Sequence, residues 1–424
     1  MKRLLGLTVL CAFGLDGPGP LWADDIVYSR SLVCMRTASP PQIDGRLDEK
    51  AWQEAPPATD FISLGSRDMP EVKPTYPVED QTVVRALHDD KQLYVGIECK
   101  APPKDKFRMI RGGRDVNFLS AESVEIVVSP RPTTGRACQF AVNPENAQLD
   151  AELREDSFDT TWNAPWQSAV SGGPGMWRAE LAIPFRSLGA DLAATGCVWS
   201  VNMRRNHSGW HQMSVWQNPV EPRLSDVRTY GHLVFVDPAD RCALTSLSCP
   251  LLAPWGENTI RLGFRGAGNV TLIGNGNIRK EMTARPGESV SVAVPIVGSG
   301  CTPFRLDGPA RKCSFAVWSR DLLSLRLETI LVAKPDGTAG GTLRIAARPD
   351  FLKALVIKAR LVDGKGGASE STIRSPQSPT VGVLLPLADL SAGVCRFQVE
   401  AGRNGKTCAA LEKKLDLVNG DFPF

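Results

Sequence analysis

Along most of the chain apolar and polar residues alternate with a period of two, and long stretches with the 3.6-residue period of an amphipathic helix are scarce. In "TVVRALHDDKQLYVGIEC" (82–99) two alternating runs flank His88-Asp89-Asp90-Lys91, and Leu93, Val95, Ile97 and Cys99 fall on one face of the second. That pattern predicts a β-hairpin. The runs "SVEIVVS" (123–129), "CQFAVN" (138–143), "WRAELAIPF" (177–185), "VWSVNMRRN" (198–206), "HQMSVWQ" (211–217) and "YGHLVFV" (230–236) continue it between clusters of Gly, Pro, Asn and Asp. Short strands punctuated by turn residues predict an all-β chain built on an antiparallel β-sandwich.

The rhythm stops in "DPADRCALTSLSCPLLAPWGEN" (237–258), where proline and serine collect. It resumes in "NTIRLGF", "SVSVAVPIV", "CSFAVWS" and "LSLRLETILVA", breaks at "KPDGTAGG" (334–341) and resumes again to the end. The expected organisation is a first sandwich over 38–237, a second β-sandwich domain over 256–335 and a small immunoglobulin-like β-sandwich over 340–424. No tandem repeat of fixed period is visible.

Composition changes this picture little. With 49 Lys and Arg against 46 Asp and Glu, the formal charge of +3 gives no global field that would draw nucleic acid or anionic lipid. The first residues, "MKRLLGLTVLCAFGL", are basic and then apolar, too short to span a bilayer, and Ala23 in "DGPGPLWADD" ends a plausible cleavage site. A signal peptide over 1–23 and a secreted protein, periplasmic or extracellular, are therefore expected; a lipid anchor on Cys11 is disfavoured by Leu10 before it. No later stretch approaches the ~20 apolar residues of a spanning helix, so no membrane span is expected. Ten cysteines follow Cys11, an even number that permits disulfides in an exported chain. Nearest neighbours in sequence would pair Cys242 with Cys249, Cys301 with Cys313 and Cys395 with Cys408, although spacing does not fix connectivity. No C-x-x-C occurs, which argues against a zinc ribbon or a thioredoxin-like redox pair.

Tests for catalytic motifs fail by spacing. In "GRNGKT" (402–407) the first glycine of a phosphate loop would fall on Glu400, and in "GAGNVT" Thr271 stands where a dinucleotide loop needs its third glycine. There is no G-x-S-x-G elbow. His207 and His211 are four apart in "HSGWH", a metal-ligand spacing on a helix, but Gly209 and the flanking strands make this a hairpin tip. Asp150, Glu152, Glu155, Asp156 and Asp159 in "DAELREDSFDTTW" lack the D-x-D-x-D-G pattern of a calcium loop and form no recognisable acid and nucleophile pair. The expectation is a protein that is not an enzyme.

Strand parity identifies a candidate binding face instead. With Val124, Ile126 and Val128 turned inward, Glu125 faces out; with Phe140 and Val142 inward, Gln139 and Asn143 share that outer surface. Trp216 stands beside Gln217 and Asn218, and of Arg204 and Arg205 the former takes the outward parity. An aromatic face for the C–H side of a sugar ring, with an acid and an amide for its hydroxyls, is the composition of a saccharide site.

Taken in order, "PQIDGRLDEKAWQEAP", "VVRALHDDKQLYVGIEC", "ESVEIVVSP", "QFAVN", "WRAELAIPFRSLG", "WSVNMRRN", "SVWQ" and "YGHLVF" resemble the family 9 carbohydrate-binding module and related sandwiches over roughly residues 38 to 237. The resemblance implies a non-catalytic sandwich opened by "IDG…W" that binds glycan chain ends in a slot between two tryptophans, with structural calcium as its one implied cofactor. Residue by residue, Glu125 matches the family's ligand-binding glutamate, Asn143 its asparagine and Trp216 its second stacking tryptophan. Two positions depart: Ala141 replaces an expected arginine, and Phe118-Leu119 stand where the first tryptophan belongs. The expected ligand site is therefore Trp216, Glu125, Asn143, Phe118 and Arg204, and the expected partner a polysaccharide or glycan chain, with protein partners for the C-terminal domains. The competing expectations are a structural or adhesion scaffold with a degenerate sugar site, and a b-type haem sandwich using Met203, Met213, His207, His211 or His232.

Overall fold

A computed structural model describes residues 7–10, 26–66, 80–101, 110–115, 121–154, 157–173, 175–190, 197–207, 212–218, 226–308, 313–326, 332–333, 338–387, 390–391 and 393–419. The first strands are β1 (Leu7–Leu10), β2 (Ser31–Arg36), β3 (Ile62–Ser66), β4 (Thr82–His88), β5 (Gln92–Lys100), β6 (Ser123–Ser129) and β7 (Ala137–Val142). They are followed by β8 (Gln148–Arg154), β9 (Ser157–Asp159), β10 (Gln167–Gly173), β11 (Met176–Pro184), β12 (Val198–His207), β13 (Gln212–Val215) and β14 (Gly231–Val236). All but β1 join one sheet in the order β10-β11-β5-β4-β2-β14-β12-β6-β7-β8-β9, with β13 pairing β12 and β3. Pairing is antiparallel except where β2 runs parallel to β14 and β4.

The predicted hairpin is β4 and β5, and its Leu93, Val95, Ile97 and Cys99 are buried in the main core with Val124, Ile126, Val128, Phe140 and Val142. Residues from both ends of the sheet meet there, for example Phe140 of β7 edge-to-face against Trp166 just before β10. The sheet thus supplies both layers of the sandwich, and burial of its alternating residues is the main stabilising term.

The opening motif is a plug fixed on the outer side of β11. A short helix, α1 (Lys50–Glu54), buries Trp52, and the buried carboxylate of Glu180 accepts hydrogen bonds from Trp52 Nε1 (2.8 Å), Asp44 N (2.9 Å) and Gly45 N (2.6 Å). Gly45 has φ 84°, and a Cβ there would lie 2.7 Å from the Ser171 backbone nitrogen, so both backbone angle and space require glycine. On β5, a Cβ on Gly96 would come within 2.6 Å of Leu47 and 3.1 Å of the Trp52 ring, so the sheet is bare where the indole packs against it.

The segment 237–258 is not a free linker. Its β15 (Ala243–Ser248) joins β16 (Gly256–Arg265) and β19 (Ser289–Ile296), while β17 (Gly268–Gly274), β18 (Arg279–Ala284), β20 (Gly300–Asp307) and β21 (Cys313–Ser319) form the facing sheet in the order β18-β17-β20-β21. Apolar residues of this second sandwich are continuous with the core of the first. Ser29 and Ser31 add a clip: Ser31 Oγ donates to Leu247 O (2.6 Å) and Ser29 N to Cys249 O (2.8 Å). Leu323–Arg326, Val332–Ala333 and the strands from Thr338 to Asn419 build a third, nine-stranded sheet with its own core, which β1 also joins by pairing Leu7–Leu10 with Asp416–Asn419.

Among the described residues one disulfide is formed, and it differs from the nearest-neighbour pairings. Cys197, at the foot of β12, bonds to Cys313 of β21 with a Cα–Cα distance of 5.1 Å, tying the first sandwich to the second. Cys301 and Cys313 stand near opposite ends of one hairpin, opposite Trp318 and Leu306 respectively. Cys242 and Cys249, both unbridged, flank a whole strand, β15, which holds them roughly 20 Å apart at about 3.3 Å per residue. Cys395 pairs in register with Leu415, far along its hairpin from the Cys408 thiol.

Two outcomes follow. Glu180→Ala, which strands two buried donors and a part-buried one, is expected to lower unfolding free energy by about 3–5 kcal/mol in urea titrations, whereas an exposed substitution such as Glu54→Ala stays within about 0.5 kcal/mol. Peptide mapping without reductant is expected to recover Cys197 linked to Cys313, a closure of 116 residues, and Cys313→Ser to cost about 2–4 kcal/mol.

Candidate functional site

The outer face of β6, β7 and β12 brings together Glu125, Arg204 and Gln139. Register sets Arg204 directly opposite Glu125, with Ala141 on the other side of Glu125. The Glu125 carboxylate, 0% exposed, accepts from Arg204 Nε (2.9 Å to Oε1) and from Arg204 Nη2 (2.7 Å to each oxygen). It also accepts from Gln139 Nε2 (2.7 Å) and Asn206 Nδ2 (2.7 Å), and the Asn206 amide donates further to Ser123 Oγ (3.0 Å). Arg204, with 22% of its side chain exposed, is the member of this cluster that reaches solvent. Below it, Val127, Ala137, Ala151, Leu153, Val227 and Tyr230 form a small apolar patch on the same outer side. Burial, reinforced by Asp226, holds the Tyr230 phenol far above its usual range, so it stays protonated.

Gln139 and Asn206 complete the cluster. Neither is in the predicted site: parity assigns Gln139 only to the outer surface, and Asn206 shares parity with Arg204 two residues before it, a signal available in "RRN". Arg205 has the opposite parity and is buried on the core side, where its Nε donates to Glu122 Oε1 (2.9 Å) and Trp177 Nε1 donates to the same oxygen (3.1 Å).

Trp216 does not belong to this face. It is 2% exposed and lies in the main core, its ring packed against Gly231, where a Cβ would come within 2.6 Å of it. Arg30 covers the ring at 5.1 Å from the centroid and donates from Nη1 to the Trp216 carbonyl (2.7 Å). The indole N–H is buried without an acceptor. The physical reason for this placement is the backbone: Trp216 N donates to Met203 O (3.0 Å), next to a residue whose side chain points into the core. The polar neighbours are engaged elsewhere, Gln217 accepting from Arg30 N (2.7 Å) and bonding Asn202. An open concavity shared by Trp216, Glu125 and Asn143 is therefore absent from the described residues.

Asn143 closes a turn. Its Oδ1 accepts from Glu145 N (3.0 Å) and Ala147 N (2.9 Å), and its Nδ2 donates to Ile110 O (2.7 Å). Phe118 and His211 lie outside the described residues. His207 ends β12, pairs in register with Gln212 of β13 across the hairpin, and bonds Ser214 Oγ through Nε2 (2.8 Å). Of the acidic run, Asp150 on β8 pairs with Arg114 and Glu152 with both Arg136 and Arg154, Asp159 on β9 accepts from Thr161, and Glu155 and Asp156 lie outside the described residues. Among the described residues no group of three or more His, Cys, Asp or Glu is arranged to hold a metal.

No family model matches this chain, and no curated protein matches it. Solved structures similar to it include a family 9 carbohydrate-binding module from Caldicellulosiruptor kristjanssonii in complex with cellotriose, at 14% identity over 50% of this chain and 96% of that one, with a TM-score of 0.37. A putative carbohydrate-binding protein from Bacteroides uniformis is similar at 15% identity over 49% and 100%, with a TM-score of 0.39. A tetra-tandem repeat from the extending region of a large adhesion protein is similar at 11% identity over 92% and 100%, with a TM-score of 0.21.

His207 of β12 and His232 of β14 are neutral in the fold. Burial, then the charge of Arg205, brings His207 down to about 2, and burial alone brings His232 down to about 4, from an ordinary 6.5. A depressed histidine contributes stability that is complete above its unfolded value and is lost as the pH falls toward the folded one. Asp150 and Glu180, raised by burial, act in the opposite sense. Unfolding free energy is thus expected to decline from about pH 7 to pH 5 by a few kcal/mol, and the decline to shallow in His232→Gln. A flat profile in urea titrations across that window would contradict the burial of these rings.

Proposed function

We propose that the chain is an exported, non-catalytic glycan-binding protein that recognises a poly- or oligosaccharide through the outer face of β6, β7 and β12. The observation that carries this reading is the Glu125 cluster, in which a carboxylate, a guanidinium and two amides are aligned on one sheet face with Arg204 open to solvent. Planar groups held rigidly by one another bond vicinal hydroxyls with little loss of side-chain entropy. Export is supported by the Cys197–Cys313 bond and by the basic and apolar start of the chain; cleavage after Ala23 would remove β1, so the exported third sheet would lack the strand that pairs with Asp416–Asn419. The two C-terminal units would then offer surfaces for protein partners.

A second reading, a structural or adhesion scaffold, is favoured by two features: Glu125 already has donors on both oxygens, and the indole expected to stack on sugar is in the core. Affinity electrophoresis and calorimetry of the full chain against a panel of plant and microbial polysaccharides separate the two. Binding is expected, weakened at least about tenfold by Arg204→Ala, the loss of a charged hydrogen-bonding group, and unchanged by Trp216→Phe, which keeps the core filled. No binding to any polysaccharide would leave the scaffold reading.

A further inference from the structure

A cavity of about 770 Å³ opens at the end of β5 and β11, away from the Glu125 cluster. Strand register builds it: Pro184 lies opposite Gln92, and Ala182 lies between Tyr94 on one side and Gln167 on the other. The floor is apolar, with Ala182, Pro184, Phe185 and the Trp166 ring, whose N–H is turned to Asp150 Oδ1 (3.3 Å). The rim is polar, with Gln92, Gln167, Lys91 and Arg186. Its volume falls in the ~300–1,000 Å³ range of small-ligand sites.

Charge at the rim is one-sided. Among the described residues Asp90 is the only acid lining the cavity, and it is bonded to Arg36 at 2.8 Å, whereas Lys91 and Arg186 have no carboxylate partner there. Backbone donors near the rim are occupied: Lys91 N and Gln92 N donate to Asp89 Oδ1 (2.7 and 2.8 Å), and Phe185 N donates to Lys91 O (2.8 Å). A phosphate nest, which needs free main-chain N–H groups, is therefore not offered. An anion here meets side chains alone, one of them a guanidinium fork suited to a carboxylate. The Gln167 amide is exposed, and Gln92 donates to the Tyr94 hydroxyl (3.2 Å), leaving its carbonyl to accept from a ligand hydroxyl.

We infer that this cavity is a second binding site, for a carboxylate-bearing saccharide such as a uronic acid unit. The acid sits between Arg186 and Lys91, the ring lies on the proline and alanine floor, and the two glutamine amides bond its hydroxyls. The site does not depend on the Glu125 cluster, and either can be present without the other.

Calorimetry of the full chain at low salt with trigalacturonate, and with neutral galactotriose as control, tests the inference. Trigalacturonate is expected to bind, with an affinity that falls with added salt, and the exposed double substitution Lys91→Gln/Arg186→Gln to weaken it at least tenfold without moving the melting temperature. Arg204→Ala is expected to leave trigalacturonate binding intact, which separates this site from the one proposed above. Failure of the folded parent to bind trigalacturonate, equal affinity in the double variant, or loss only in Arg204→Ala would each overturn it.

Discussion

A carboxylate withdrawn from water must find its hydrogen-bond donors within the protein, and four of them organise the first sandwich. Glu122, Glu125, Asp150 and Glu180 are all buried, and each draws donors from remote parts of the chain. Glu180 holds the opening turn and Trp52; Glu122 takes Arg205 and Trp177; Asp150 takes Arg114, Trp166 and the Ala164 backbone; Glu125 takes Arg204, Gln139 and Asn206. Apolar burial supplies the bulk of the stability, but it is non-directional. These acids fix which segment lies over which strand, and two of the clusters have a member reaching solvent, Arg204 beside Glu125 and Arg114 beside Asp150.

Much of this was legible in the sequence. Alternation over "SVEIVVS" and "CQFAVN" assigned Glu125 and Gln139 to the outer face, because a period of two admits only two faces. The same logic separated Arg204 from Arg205. Cys197 and Cys313 were not legible as a pair, since the contact depends on how the second sandwich docks on the first, and no local pattern encodes that. The partner of "IDG…W" was also hidden: Glu180 lies in an ordinary strand, and only the tertiary fold brings it under Asp44 and Gly45.

Trp216 shows where local reasoning fails. Its neighbours Gln217 and Asn218 are polar, but polarity next to a residue in sequence does not define the polarity of the face it occupies. At the end of a four-residue strand the backbone bond to Met203 sets direction, and the large indole follows it into the core beneath Arg30. Asn143 illustrates a related limit, since an asparagine at a strand end serves equally well to close a turn through its own backbone contacts.

If a glycan docks on the outer face, the groups that respond are those around Glu125 and not the buried indole. Side-chain nitrogen NMR of the full chain, titrated with a polysaccharide fragment that binds it, reads both at once. The Arg204 Nε–H and the Gln139 and Asn206 amide signals are expected to move in a saturable manner while the Trp216 Nε1–H stays in place. Saturable movement of the Trp216 signal with the other three unchanged would contradict the account.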